Sequence, residues 1–151
     1  MEILRSVLRE LPEFQQLLAA LDSGQSPAAV SGLAAVHRAH FAACLGQESG
    51  RPVVMVCADE GEAERMARDL SFLTGGEVPV LAARSFLFHN IATVSRQWEH
   101  RRLRLLYRLT RGEVPCLVAT VEALLQRTLP PEALERACAA LAVGQTADLE
   151  E

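Results

Sequence analysis

Residues 52–70 read PVVMVCADEGEAERMARDL, and their reading decides the fold class. From Pro52 to Ala58 the run is continuously apolar and rich in valine, as expected of a parallel strand covered on both faces. Asp59 then supplies a helix N-cap, and Glu62 stands three residues on as its reciprocal capping partner. Ala63, Met66, Ala67 and Leu70 recur at helical spacing, so the stretch is a strand feeding directly into an amphipathic helix. Gly75 and Gly76 end that helix.

The same alternation continues outward. Downstream, VPVLA at 78–82 reads as a strand, and a connection of roughly a dozen residues leads into a helix from about Val94 to Thr110 that carries Trp98, Leu105, Leu106 and Leu109 inward. VPCLVAT at 114–120 is a further strand, followed by a short helix, the pair Pro130 and Pro131, another helix and a last strand around Ala140 to Val143. Upstream, Leu8, Phe14, Leu17, Leu18 and Leu21 predict helical packing on either side of Pro12, with Gly24 as a stop. Ala28 to Gly32 is expected as a short strand entering a helix over about 33–45. Strands alternating with helices imply right-handed crossovers and an α/β fold in which a parallel sheet is flanked by helices.

A chain of 151 residues, half of them hydrophobic, suffices for one domain with a core and is short for two. Its net charge of -4 gives no global electrostatic case for nucleic-acid binding, so any such contact rests on a local patch. Cys44, Cys57, Cys116 and Cys138 show no CxxC spacing and read as reduced core residues of a cytosolic protein. The N-terminus has acids among its apolar residues and no continuous apolar core of a signal peptide. No stretch reaches membrane-spanning length, and the expectation is a cytoplasmic protein with no membrane partner.

Residues 30–41, VSGLAAVHRAHF, have the outline of a phosphate-binding loop. Such a loop, GxxxxGK[ST], needs its glycines for backbone N–H groups to approach the phosphates, a lysine to neutralise them and a hydroxyl for magnesium. With Gly32 as the first glycine, those later positions hold His37, Arg38 and Ala39. The chain has no lysine at all, so its 15 basic residues are arginines, and arginine's planar fork is no substitute for the loop ammonium.

Other candidate positions follow from the fold. Ligands in such sheets gather at the carboxyl ends of the strands, where Gly32, Asp59, Arg84, and Thr120 with Glu122 are expected to line one edge. The plain alternative is that Asp59 and Thr120 cap helices. His37, His40 and Cys44 share a helical face but lack a second cluster to complete a four-ligand metal site. Arg101, Arg104, Arg108 and Arg111 form a stripe along one helix, either a solvated face or a contact for phosphate or an acidic partner. No Ser/His/Asp or Cys/His arrangement is supported, and no catalytic residue is assigned.

Taken in order, LPEFQQLLAAL, AVSGLAAVHRAHF, RPVVMVCADEGEAERMARDL, VSRQWEHRRLRLLYRLTRGEVPCLVATVEALLQRTLPP and LAVGQ resemble the N-terminal region of bacterial transcription-repair coupling factor, Mfd, from about Leu11 onward. That region is similar to the repair protein UvrB. The resemblance implies a three-layer RecA-like (P-loop NTPase-like) lobe with a degenerate nucleotide site, in which Gly32, His37, Arg38 and Ala39 are a vestigial loop. UvrB-like proteins keep a true phosphate loop and carry a long tyrosine-rich hairpin after their third strand. Here the connection ARSFLFHNIATV is short and the only tyrosine, Tyr107, lies later in a helix, so independent damage verification is not expected.

The resemblance further implies an N-terminal helical segment over 1–24, the UvrB-like lobe over 25–144, and the start of a truncated following lobe at 145–151. The residues that contact UvrA in the family would lie beyond Glu151. The parent would displace stalled RNA polymerase from damaged DNA with an ATP- and magnesium-dependent motor and recruit UvrA for nucleotide excision repair. This chain would be its non-catalytic scaffold lobe, without a cofactor of its own, working with the remainder of the parent chain. Two other readings stay open: a nucleotide-binding or ATPase domain with an unorthodox loop centred on Gly32, His37 and Arg38, and a free-standing α/β module binding a nucleotide or small ligand at the strand ends.

Overall fold

The computed structural model describes residues 2–83, 97–138 and 144. In chain order the elements are α1 (Glu2–Arg9), α2 (Pro12–Asp22), α3 (Ala35–Ser49), β1 (Val53–Cys57), α4 (Glu60–Thr74), β2 (Val80–Leu81), α5 (Gln97–Thr110), β3 (Cys116–Thr120), α6 (Val121–Leu125) and α7 (Pro131–Arg136). The three strands form one parallel sheet in the order β1-β3-β2, with Val53 opposite Cys116 and Val80 opposite Val118.

The middle strand is the latest in sequence, and its composition explains its place. Every residue of CLVAT is buried, which only a strand paired on both edges and covered on both faces achieves. Its side chains alternate between two cores. Cys116 and Val118 point into a cluster with Ala39, Ala42 and Ala43 of α3 and Ala63, Met66, Ala67 and Leu70 of α4. Leu117 and Ala119 point the other way, into a cluster with Leu81, Ala83, Leu105 and Ala123. Helices therefore lie on both faces of the sheet, as the βα alternation predicts. Of the four cysteines expected in the core, Cys44, Cys57 and Cys116 are buried, while Cys138 is only half-buried.

α3 packs close to β1 because residue 46 is glycine: a methyl there would lie 2.6 Å from Val53 Cγ2. α1 and α2 lie against α3, held by the edge-to-face pair Phe14–Phe41 at 5.5 Å and by the ion pairs Arg9–Glu48 (3.2 Å) and Arg51–Asp22 (3.6 Å). Pro12 occupies the first turn of α2, where its missing N–H costs nothing.

Three expectations change in detail. Ala28 to Gly32 forms no strand; residues 28–31 line a cleft with α2, and no described strand pairs with the segment. The helix that follows runs 35–49 instead of 33–45, starting at Ala34, which has no side chain able to cap. Only Val80 and Leu81 of the expected 78–82 strand pair with β3. The predicted strand around 140–143, the segment 145–151 and most of the 83–94 connection lie outside the described residues.

Among the described residues, nothing pairs with the outer edge of β1 or covers one of its faces. Its Val53 N–H donates to the Pro115 carbonyl (2.9 Å), so by strand alternation the Val54 and Val56 amides point away from β3. Their side chains lie beside Leu117 and Ala119 on the α5 side, yet Val54 is 51% and Val56 52% exposed, because no described helix reaches across them.

Candidate functional site

The loop before α3 places Gly32 in the left-handed region at φ +82, with open space around it. His37 is exposed in the first turn of α3, its N–H bonded to the Ala34 carbonyl (2.9 Å). Arg38 turns toward α4, where its Nη1 lies 3.7 Å from Glu62 Oε1. Ala39 is 1% exposed and faces the α3–α4 core, so its methyl group is a packing element. The four residues are thus separated by function: one turn, one solvent-facing ring, one ion-paired guanidinium and one core contact.

At the carboxyl ends of β1 and β3, Asp59 and Thr120 cap helices. Asp59 Oδ1 accepts from the Glu62 N–H (2.8 Å), and Glu62 Oε2 accepts in return from the Ala58 N–H (3.1 Å), closing a reciprocal capping box. Thr120 Oγ1, buried, accepts from the Ala123 N–H (3.1 Å). Glu122 is exposed in the first turn of α6, and Arg84 lies outside the described residues. Burial pushes the Cys57 thiol upward, with Glu62 and then Asp59 adding to the shift and Arg38 opposing it.

His37, His40 and Cys44 do not converge: the first is exposed, the second half-buried with Nε2 unpartnered, and the third buried. Among the described residues no group of three or more His, Cys, Asp or Glu side chains is arranged to hold a metal ion.

The arginine stripe on α5 divides into two halves. Arg108 and Arg111 both reach Glu113, at 3.8 Å and 2.9 Å, and Arg111 also lies over the Tyr107 ring at 5.8 Å. The hydrogen bond to Glu113, then that to Tyr107, hold the Arg111 guanidinium above its ordinary range. Arg101 and Arg104 are exposed and meet no carboxylate among the described residues. Only this N-terminal half of the stripe offers unneutralised charge.

Arg102, between those two, was not among the sequence candidates. Its Nη1 donates to the Ala82 carbonyl at the exit of β2 (3.1 Å) and its Nη2 to the Ala123 carbonyl of α6 (3.0 Å), while its guanidinium lies over the Trp98 ring at 5.7 Å. A signal was present: 98, 102, 105 and 109 fall on one helical arc, and an arginine on that apolar arc must find partners for a partly buried cation.

No family model matches the chain, and no solved structure matches it. Two curated relatives do. The transcription-repair-coupling factor of Bacillus subtilis (strain 168) is 28% identical over 132 residues, which is 87% of this chain and 11% of the relative. The transcription-repair-coupling factor of Myxococcus xanthus is 33% identical over 143 residues, 89% of this chain and 12% of the relative. The chain therefore spans about a tenth of the length of the relatives it matches, and over nearly nine-tenths of its own length it is homologous to transcription-repair-coupling factors.

Proposed function

We propose that this chain is a non-catalytic scaffold lobe of a transcription-repair-coupling factor, a RecA-like lobe related to UvrB whose nucleotide site has decayed. The observation that carries the reading is the homology to much longer coupling factors together with a loop whose chemistry does not fit a nucleotide. Residues 32–39 supply neither lysine nor hydroxyl, Ala39 is committed to the core, and Arg38 is already paired with Glu62. Magnesium and a triphosphate would find one glycine turn and a guanidinium engaged elsewhere.

In this reading the lobe works by packing and display. The open edge and exposed valines of β1 are the surface on which the remainder of the parent chain docks, since an unpaired edge beside an apolar face invites a further strand. Arg101 and Arg104 are the candidate contact for phosphate or an acidic partner. The parent would use ATP and magnesium in a separate motor to displace stalled RNA polymerase from DNA and would recruit UvrA for nucleotide excision repair. Calorimetric titration of the chain with ATP and magnesium tests the non-catalytic half of the reading. No heat of binding is expected up to about 5 mM nucleotide, an affinity below roughly 3 kcal/mol. A saturable heat that Arg38→Gln abolishes would overturn it in favour of an unorthodox nucleotide site.

A further inference from the structure

On the α5 side of the sheet's carboxyl edge, Trp98, Arg102, Leu103 and Leu106 face Arg127 and Leu129 across a cavity of about 530 Å³. That volume lies inside the range of small-molecule sites, roughly 300–1,000 Å³. The walls are mainly apolar, but the charged groups are unequal: two guanidiniums and one carboxylate, Glu99, line the space.

Arg102 is the telling member. Both of its hydrogen bonds go to neutral carbonyls, and no carboxylate meets it among the described residues. Burial alone moves its pKa, downward, with no charged partner opposing the shift. A guanidinium carries five donors, so Nε–H and the Nη hydrogens not used on Ala82 and Ala123 remain for a ligand. Arg127, exposed across the cavity, also has no ion pair among the described residues and supplies a second fork. A partly buried cation held only by neutral dipoles keeps its attraction for an anion, and planar forks match a carboxylate.

We propose that this cavity binds a small organic carboxylate with an apolar body, its carboxylate on Arg102 and Arg127 and its apolar part against Leu103, Leu106 and Leu129. The site lies on the opposite face of the sheet from the Gly32 loop, and the proposal does not depend on the scaffold reading.

Trp98 is the only tryptophan of the chain, so its fluorescence reports directly on the site. The probe is 4-phenylbutyrate, with 4-phenyl-1-butanol as its neutral counterpart. The expected result is a saturable change in Trp98 emission with a midpoint below about 5 mM, and at least about tenfold weaker binding of the alcohol. Arg102→Gln removes two internal hydrogen bonds and risks the fold, so Arg127→Gln is the decisive variant. With circular dichroism unchanged, it should weaken the carboxylate about tenfold and leave the alcohol unaffected. No saturable response, an equal response to the alcohol, or carboxylate binding untouched by Arg127→Gln would overturn the proposal.

Discussion

Arg102 covers Trp98 at 5.7 Å, and the stack aims its two Nη groups at the Ala82 and Ala123 carbonyls, tying the exit of β2 to the start of α6 through a helix 20 residues away in sequence. Hydrogen bonds from a charged donor contribute more than neutral ones, and removing the donor leaves two carbonyls without it. Arg102→Met should therefore cost about 2–3 kcal/mol in urea denaturation, and Arg102→Lys should recover only part, because an ammonium cannot span both acceptors in the same plane. A loss within about 0.5 kcal/mol would show that the two carbonyls find water equally well.

Gly46 sets the approach of α3 to β1. The Cβ of an alanine would meet Val53 Cγ2 at 2.6 Å, and valine, branched at Cβ, has little freedom to move aside. Alanine favours a helix by up to about 1 kcal/mol over glycine, yet overpacking costs about 1–3 kcal/mol, so Gly46→Ala should destabilise by about 1–2 kcal/mol. Adding Val53→Ala should recover part of that loss in the same denaturation assay, the mark of a direct clash.

The pH dependence follows from two buried thiols. Cys57 and Cys116 are both pushed above the ordinary value of 9.0, chiefly by burial, with the Leu117 backbone opposing the shift at Cys116. A group whose folded pKa exceeds its unfolded value contributes stability that is whole below the unfolded pKa and is lost as pH rises through the folded one. The denaturation midpoint should thus be insensitive to these thiols up to about pH 8.5 and fall above about pH 9. The pair Cys57→Ala, Cys116→Ala should show a shallower alkaline decline; an identical slope would remove the thiols as its cause.

How much of this was legible in the sequence depended on whether a signal was local. Asp59 and Glu62 announced the start of α4 because a capping box is written in four consecutive residues, and both of its hydrogen bonds form. The unbroken apolar run of 53–57 announced a strand buried on both faces, and here tertiary context intervened: Met55 and Cys57 face a core, whereas Val54 and Val56 are open. For Ala28 to Gly32 the composition was compatible with a strand, but a strand needs a partner, and none of the described strands lies beside it. The start of α3 was illegible because Leu33 and Ala34 carry no capping group. The arginines showed the limit of spacing arguments most plainly. Period alone grouped 101, 104, 108 and 111, while Glu113, at the turn beyond the helix, neutralises two of them and the singular residue is Arg102.

The central claim, that this chain is a lobe built to be packed against the rest of a coupling factor, is tested most directly at the amides of Val54 and Val56. Hydrogen exchange measured on the 151-residue chain alone should be fast at both, since their N–H groups point off the open edge of β1. In the full-length coupling factor proposed to contain it, docking should slow both amides by at least about 100-fold, as expected when an edge gains a strand or cover. Equally fast exchange in the two would mean that β1 remains a free edge and would contradict the scaffold account.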